Sequence, residues 1–572
     1  ATDLQWRRWS LDYLVARVEA SPDRVQVVSG IIRRPPMEVT WQGELQEPLD
    51  PERARLWLNG VANNVDAQDV LAAVREPAVG EEPLPVEAIG RAFFHVEGKL
   101  RAPVADVTVS VPMAQLRNWN LTAINGAVHY EDGSLKVSSL SARLGDGVLK
   151  AQGERDSTGR LSFQIVGDNL PLAQIRAFLP EDAPQDINGE VFVQGAVTGS
   201  EQEPQFDGEI TIRNAVWDVL RAHIGSAQVR WRQGELSVQN IRTENPEFSL
   251  NIGSLYLSDM ERAITAEGTL SVASLEALSQ KMMDSAWLRD KAPRLGEVLH
   301  ELGGISGTAM IPFRLWGEAR NPNVEASLEL QSLEINESML GTLRAQIGRD
   351  SAGVWRLQNA VLSNGEHRLI ASGTYSPEGE VNLSAEVYNF DLAWFQRWLP
   401  KATELRGKVE MAAVEVSGKS DSPDVVLTLA LKEPQFGAVR AERVLSGKIQ
   451  VSEGKLDISE IVLAQKDGQV RIRGTLPFHW EPFGVPDTEP INVHAEASPQ
   501  PLSALLAYLP SAGIREADGQ WSLKATLAGT RSAPQLSGEM LLSANSLRIA
   551  QMRTGLRDVQ ASVQFQNEAI RL

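Results

Sequence analysis

Apolar and polar residues alternate along many segments of this chain. The alternation is unbroken from Phe206 to Arg213, and it recurs from Val324 to Gln331 and from Trp521 to Leu527. A period of two residues places successive side chains on opposite faces of a β-strand. One apolar and one polar face is typical of antiparallel strands that bury a single side. The pattern therefore predicts an all-β-dominated chain of one-sided antiparallel strands.

A glycine followed five residues later by a proline recurs along the chain and marks a repeat. The five pairs are Gly98/Pro103, Gly199/Pro204, Gly317/Pro322, Gly418/Pro423 and Gly529/Pro534. Successive glycines are 101, 118, 101 and 111 residues apart, so the repeat is about 108 residues long. Because glycine tolerates unusual φ angles and proline blocks continued pairing, each pair predicts a joint between two strands.

Further turn signals divide each repeat into shorter strands. Asn188-Gly189, Asn125-Gly126 and Asp132-Gly133 are dipeptides that fit tight hairpins. Asp146-Gly147, Asn364-Gly365 and Asp467-Gly468 are further examples. Counting the segments between such signals predicts six or seven strands in each repeat.

A short helical pattern also recurs once per repeat. Residues 171–180, 391–400 and 501–510 carry apolar residues at helical spacing and each ends in Leu-Pro, with weaker counterparts at 65–74 and 275–288. No Ser-, Pro- or Gly-rich linker separates the repeats, which favours a continuous sheet. The predicted divisions are a partial repeat at 1–88, full repeats at 89–186, 187–304, 305–404 and 405–516, and a partial repeat at 517–572.

The charge, the lack of cysteine and the lengths of the apolar runs exclude several kinds of partner and site. A net charge of −19 disfavours nucleic acid, whose phosphates require clustered Lys and Arg. The absence of cysteine excludes disulfides, thiolate metal sites and cysteine nucleophiles. No run reaches the ~18 apolar residues that a membrane span needs. A start at Ala1 without an initiator Met, and an end partway through a repeat, predict a segment of a longer protein.

The apolar face of a one-sided sheet must be covered by something. One short helix per repeat covers only part of it, since a helix rises about 1.5 Å per residue. Two arrangements remain open at this point. Each repeat either folds back into a β-sandwich, or the sheet stays open as a trough with an apolar floor.

The strand–joint–strand pattern resembles the TamB/AsmA-like family. The best matches are GAVTGSEQEPQFDGEITI at 195–212 and ATLAGTRSAPQLSGEMLL at 525–542, and the segments ending in Leu-Pro fit as well. The third repeat departs from the pattern, with Ala326 where Gly208 and Gly538 stand, and the fourth has Leu427 there. The resemblance covers essentially the whole chain and contains no catalytic signature.

Membership would imply an elongated repeating β-groove, or β-taco, with an apolar interior and one short amphipathic helix per repeat. It would also imply a periplasmic protein, anchored in the inner membrane, that moves phospholipid between the inner and outer membranes. An outer-membrane barrel assembly factor of the TamA or BamA type is the implied protein partner. The family's membrane anchor and partner-binding domain are not recognisable in this sequence.

The apolar strand residues are the candidate lipid-groove lining, and the competing interpretation is ordinary core packing. They are Val191, Val193, Ile210, Ile212, Val324, Leu328, Leu330, Leu383, Trp521, Leu523 and Leu527. Aromatic residues of the helical segments either plug such a groove or anchor each helix to the sheet. They are Phe178, Trp394, Trp398 and Tyr508.

Three functions compete at this stage. The leading hypothesis is a passive lipid-transfer conduit. The second is a scaffold or chaperone for outer-membrane β-barrel assembly, which would bind unfolded strands at a sheet edge or in the groove. The third is a structural stalk of tandem β-sandwiches. No hydrolase, P-loop or dinucleotide motif occurs, and no two histidines have metal-ligand spacing, so we expect no enzyme activity, catalytic residue, metal or cofactor.

Overall fold

The computed structural model describes most of the chain. The described residues are 2–6, 9–68, 86–116, 119–174, 186–258, 262–291, 304–335, 338–393, 405–436, 439–508, 514–549, 554–566 and 569–571. They form two compact units. Unit 1 comprises residues 1–301 with 318–320, and unit 2 comprises 302–317 with 321–572.

Unit 1 contains seventeen strands and two helices in its described part. The strands are β1 (Thr2–Trp6), β2 (Trp9–Ser21), β3 (Arg24–Arg34), β4 (Met37–Gln46), β5 (Arg55–Asp66), β6 (Val86–Lys99), β7 (Ala102–Leu116), β8 (Trp119–Glu131), β9 (Ser134–Leu144), β10 (Gly147–Arg155), β11 (Arg160–Pro171), β12 (Ile187–Ser200), β13 (Pro204–Trp217), β14 (Leu220–Arg232), β15 (Glu235–Glu244), β16 (Phe248–Ser258) and β17 (Ala263–Val272). The helices are α1 (Leu275–Asp284) and α2 (Ala286–Lys291).

Unit 2 has the same construction. Its strands are β18 (Ile305–Glu318), β19 (Asn323–Ile335), β20 (Ser338–Arg349), β21 (Trp355–Asn364), β22 (His367–Tyr375), β23 (Glu380–Asp391), β24 (Leu405–Lys419), β25 (Asp424–Phe436), β26 (Val439–Arg440), β27 (Arg443–Ser452), β28 (Lys455–Gln465), β29 (Gly468–Pro477), β30 (His479–Trp480), β31 (Phe483–Gly484), β32 (Asn492–Pro501), β33 (Ile514–Gly529), β34 (Pro534–Ile549), β35 (Leu556–Gln566) and β36 (Ala569–Arg571). Its helix is α3 (Leu502–Tyr508).

Strands pair with their sequence neighbours, and the pairings between the described strands are antiparallel. The short strands β26, β30 and β31 stand apart from this order in unit 2, so that β25 pairs directly with β27 and β29 with β32. Among the described strands, the first and last of each unit do not pair with each other, so neither sheet is closed. The prediction of an all-β fold of antiparallel strands is therefore confirmed.

Helical residues interrupt the meander, and six long strands lie between one interruption and the next. They follow β5 at 67–68, β11 at 172–174 and β23 at 392–393, while α1 follows β17 and α3 follows β32. All five connections leave the strands on the same side of their unit, which we call the helix margin. The opposite side of each unit is the hairpin margin.

The Gly-x4-Pro pairs form turns at the hairpin margin, as the sequence predicts. All five glycines have φ between +86° and +106°, and Gly98, Gly199 and Gly529 lie directly opposite their prolines in the ladder. These turns also donate backbone hydrogen bonds to the turn that precedes them on that margin. Examples are Leu100 N to Ala54 O (2.9 Å), Glu201 N to Gly159 O (3.3 Å), Ser420 N to Gly379 O (2.8 Å) and Ser532 N to Asp487 O (3.1 Å).

Two predicted turns are wrong. Asn125-Gly126 lies inside β8, where the ladder shifts between Thr122 and Asn125, and Asn188-Gly189 lies inside β12 beside another shift. Both shifts are β-bulges, in which an extra residue bends a strand without ending it. The extra residues at these shifts include Ala123 (φ +50°) in β8 and Asn214 (φ +51°) in β13, so neither Asn-Gly dipeptide forms a turn.

The buried core follows the helix margin. Leu172, Leu392 and Leu502, one from each of three helical connections, are 6%, 8% and 1% exposed. Strand residues near the same margin are also buried, including Ala114, Leu144, Val272, Leu333 and Leu405. Packing is therefore densest where helical residues cover the strand ends.

We expect Gly418→Ala to destabilise the turn at 418–423 by about 1–3 kcal/mol, the range for a residue held in a disfavoured backbone conformation. Gly418 has φ +92°, yet a β-carbon there would meet no atom nearer than 4.0 Å, so the cost is conformational. Hydrogen exchange of the turn amides measures the change. Gly348→Ala in β20 is the control, with its nearest atom at 3.7 Å and no positive φ. Equal exchange in both variants would contradict the prediction.

Candidate functional site

One face of the sheet in unit 1 carries an unbroken apolar row, which we call the unit 1 row. It takes one residue from each strand from β2 to β17, and each residue lies directly opposite the next across the ladder. Its members are Ala16, Gly30, Trp41, Gly60, Phe94, Val107, Val128, Val137, Gly153, Phe163, Val197, Phe206, Trp231, Leu236, Leu257 and Ile264. We call this side of each sheet the inner face.

Unit 2 carries an equivalent row, the unit 2 row, from β18 to β35. Its members are Ala309, Leu330, Leu343, Leu362, Leu369, Val387, Ala412, Leu429, Gly447, Ile461, Ile472, Ala495, Ala525, Gly538 and Phe565. Every position is apolar or glycine. Each unit thus has its own continuous apolar strip running across its strands.

Side chains next to the unit 1 row point to the opposite, outer face and are mostly polar. One such row is Gln42, Asn59, His95, Asp106, His129, Lys136, Glu154, Ser162, Thr198, Gln205, Arg232 and Glu235. Cross-strand ion pairs also lie on the outer face, as between Arg230 and Asp207 (2.9 Å) and between Arg344 and Glu329 (3.0 Å). The Arg344 hydrogen bond lowers the pKa of Glu329. The two faces therefore differ sharply in chemistry.

The apolar rows are only partly covered. Most members are half-buried, and Trp231 remains 39% exposed. A second sheet packed on the inner face would bury these side chains as a sandwich core does. The described residues place helical segments on the inner face only locally, so much of the strip contacts solvent.

The predicted lining residues all lie on the inner face. Val191 and Val193 of β12 lie opposite Ile212 and Ile210 of β13. In unit 2, Val324, Leu328 and Leu330 share β19. Leu383 lies in β23, while Trp521, Leu523 and Leu527 lie in β33. All except Trp521 are half-buried, and whether they contact a ligand stays a prediction.

Trp521 is different because it belongs to a packed cluster beneath α3. It is 3% exposed and packs with Leu502, Ala497, Val470 and Ala544, with Leu523 at the edge of the cluster. Ordinary core packing explains Trp521 in this conformation. The cluster shows that one short helix closes the inner face locally, near the helix margin.

The predicted role of the helix aromatics, in plugging the groove or anchoring the helices, stays a prediction. Phe178, Trp394 and Trp398 lie outside the described residues, and Tyr508 is the last residue of α3, with an undescribed side chain. The better-described helix α1 is fixed by polar contacts. Lys281 Nζ lies 2.6 Å from Glu247 Oε1 in the turn after β15, and this contact lowers the pKa of Glu247.

An aromatic insertion at the hairpin margin was not predicted. Residues 478–491 connect β29 to β32, where the corresponding connection in the second repeat is the short turn 156–159. Phe478, Trp480 and Phe483 pack edge-on or tilted, with ring centroids 5.0–6.0 Å apart, and Phe483 is 62% exposed. The signal in the sequence was the loss of alternation across HWEPFGVP.

Membrane-spanning and metal-binding features are not found in the described residues. No helix there has the length and apolar character that a bilayer crossing requires. No three His, Asp or Glu side chains of the described chain are grouped so that they could hold a metal ion.

Comparison with known proteins does not identify a family. No family model matches this chain, and no curated protein matches it either. The TamB/AsmA-like resemblance therefore stays a prediction that rests on the sequence pattern.

We expect His129 to give the stability of unit 1 a pH dependence. Its Nδ1 lies 2.8 Å from Asp106 Oδ1, and this hydrogen bond raises the pKa of His129 above the usual 6.5. A raised folded-state pKa stabilises the fold below the unfolded pKa, and that contribution disappears as pH rises through the folded value. As pH rises through the folded-state pKa, the free energy of unfolding of the wild type should therefore fall more than that of His129→Gln.

The matched control for this comparison is His494→Gln, because His494 bonds the uncharged Thr526 hydroxyl at 2.9 Å. Thermal unfolding at a series of pH values measures the difference. Parallel pH profiles for the wild type and His129→Gln would show that the Asp106 contact contributes nothing to stability.

Proposed function

We propose that the inner face of each unit binds aliphatic chains and that the protein transfers lipid instead of catalysing a reaction. The observation that supports this proposal is the pair of continuous, half-exposed apolar rows. A strip of this kind recognises a long apolar ligand of variable position better than a compact polar substrate.

The energetics of such binding are favourable. Burying one methylene contributes about 0.8 kcal/mol, so ten methylenes laid on a row contribute about 8 kcal/mol before ordering costs. The polar outer face and the exposed margins leave a lipid head group in water. A net charge of −19 over the whole chain favours solubility of such a protein.

The family resemblance extends the proposal to a cellular setting. If the chain is TamB/AsmA-like, the ligand is phospholipid, the compartment is the periplasm, and transfer runs between the inner and outer membranes. An inner-membrane anchor and a barrel assembly factor would then be its partners. The apolar rows support the lipid part of this proposal, whereas the compartment and partners rest on the resemblance.

A polar substitution at Leu328, the inner-face residue next to the row member Leu330 in β19, tests the proposal. We expect Leu328→Asp to lower phospholipid affinity about tenfold, because losing contact with about two methylenes costs about 1.6 kcal/mol. Leu328 is half-buried on the inner face, so the folded sheet tolerates the carboxylate. Native mass spectrometry after detergent-free purification, together with lipid transfer between vesicles, provides the measurement.

Ser327→Asp is the matched control, since Ser327 is the exposed neighbour on the outer face. It adds the same charge and should leave lipid binding unchanged. A photo-crosslinking residue at Leu330 identifies the ligand. Lipid adducts support the proposal, whereas polypeptide adducts would favour the chaperone function. Equal lipid loading in both variants would contradict the proposal.

A further inference from the structure

Three of the five aromatic residues of the unit 1 row lie directly opposite glycines. Trp41 of β4 faces Gly30 on β3 and Gly60 on β5, and Phe94 of β6 also faces Gly60. Phe163 of β11 also faces a glycine, Gly153 of β10, but a β-carbon there would first meet the Ser162 carbonyl oxygen. Large rings therefore alternate with glycines from β3 to β6, at one end of the row.

The rings occupy the space that a neighbouring side chain would fill. A β-carbon at Gly30 would lie 2.5 Å from Cε2 and Nε1 of Trp41, and one at Gly60 would lie 2.3 Å from Cζ of Phe94. Real β-carbons do not approach other atoms so closely. The rings therefore lie back across the adjacent strand instead of standing up from the sheet.

The indole of Trp41 shows that this position is imposed on the ring. Its Nε1 is out of contact with water and has no hydrogen-bond partner among the described residues. Leaving a buried donor unpaired costs about 1–3 kcal/mol. A ring that stood up from the sheet would expose that N–H to water. The ring instead packs into the space that the missing side chain of Gly30 leaves free.

The unit 2 row lacks this arrangement in its described part. Gly447 of that row faces an aliphatic side chain, and a β-carbon there would lie 2.9 Å from Cδ1 of Leu429. Gly538 faces Phe565, but an added β-carbon would first meet the Lys524 carbonyl oxygen. Rings laid over glycines are thus a feature of the unit 1 row.

We propose that Gly30 and Gly60 are positioning residues that keep the rings of Trp41 and Phe94 flat. This inference rests on the proposed binding of aliphatic chains. A flat ring adds apolar contact and leaves the path across the strands clear, whereas a raised ring obstructs an unbranched chain lying along the row. The glycines therefore keep the binding face free of raised rings, which we call their clearance role.

Gly30→Ala is the sharpest test, because the three atoms nearest to the added β-carbon would all be ring atoms of Trp41. At Gly60 the methyl group would also meet the Thr40 backbone oxygen at 2.7 Å, which could disturb the strand itself. The probe is a phospholipid with a fluorescent acyl chain, offered to the full chain in phosphatidylethanolamine–phosphatidylglycerol vesicles. We expect Gly30→Ala to lower probe uptake about tenfold, the effect of losing about two methylene contacts.

Removing the ring should reverse the effect. Gly30→Ala with Trp41→Ala should restore uptake to near the wild-type level, which a merely destabilising change at Gly30 would not allow. Gly225→Ala is the control, an inner-face glycine whose β-carbon would meet nothing nearer than 3.6 Å. Acrylamide quenching of tryptophan fluorescence should increase in Gly30→Ala and stay unchanged in Gly225→Ala.

The outcomes separate this inference from the proposed function. Wild-type uptake with equal uptake by Gly30→Ala overturns the clearance role and leaves lipid binding intact. Reduced uptake that Trp41→Ala does not restore also overturns it. No uptake by the wild type would overturn the proposed function, and the clearance role with it.

Discussion

Cross-strand register is the constraint on which both units depend. Because side chains alternate with a period of two, a slip of one residue would move a strand's apolar set to the polar face. The ladders contain shifts, as between Gly167 and Leu170, yet the unit 1 row crosses every strand from β2 to β17 without a polar member. Bulges bend the strands while the pairing around them keeps the apolar strip continuous.

The two margins stabilise this register by different interactions. At the helix margin, helical residues such as Leu502 bury apolar strand ends and supply most of the packing. At the hairpin margin there is less burial, and backbone hydrogen bonds between turns, such as Ser420 N to Gly379 O, link neighbouring repeats. This asymmetry leaves the inner face covered on one side and accessible on the other.

Much of the fold could be predicted from the sequence because its signals are local. Alternation gave the strands, the Gly-x4-Pro spacing gave the hairpin turns, and helical spacing placed Leu502 in α3. Asn125-Gly126 does not form the predicted turn, because β8 continues through a bulge whose positive φ falls on Ala123. The opposition of Gly30 and Trp41 was not predictable, since a single sequence does not reveal register between strands. Nor does it reveal what the half-exposed rows bind.

The six long strands between helical connections have a consequence for how such a chain grows. An even number of antiparallel strands returns the backbone to the same margin, travelling in the same direction and with the same face inward. Duplicating a whole repeat therefore preserves the apolar strip. Gaining a single strand would instead end the repeat at the hairpin margin, where the next repeat does not begin. Additions such as residues 478–491 are tolerated because they lengthen a turn and leave that parity untouched.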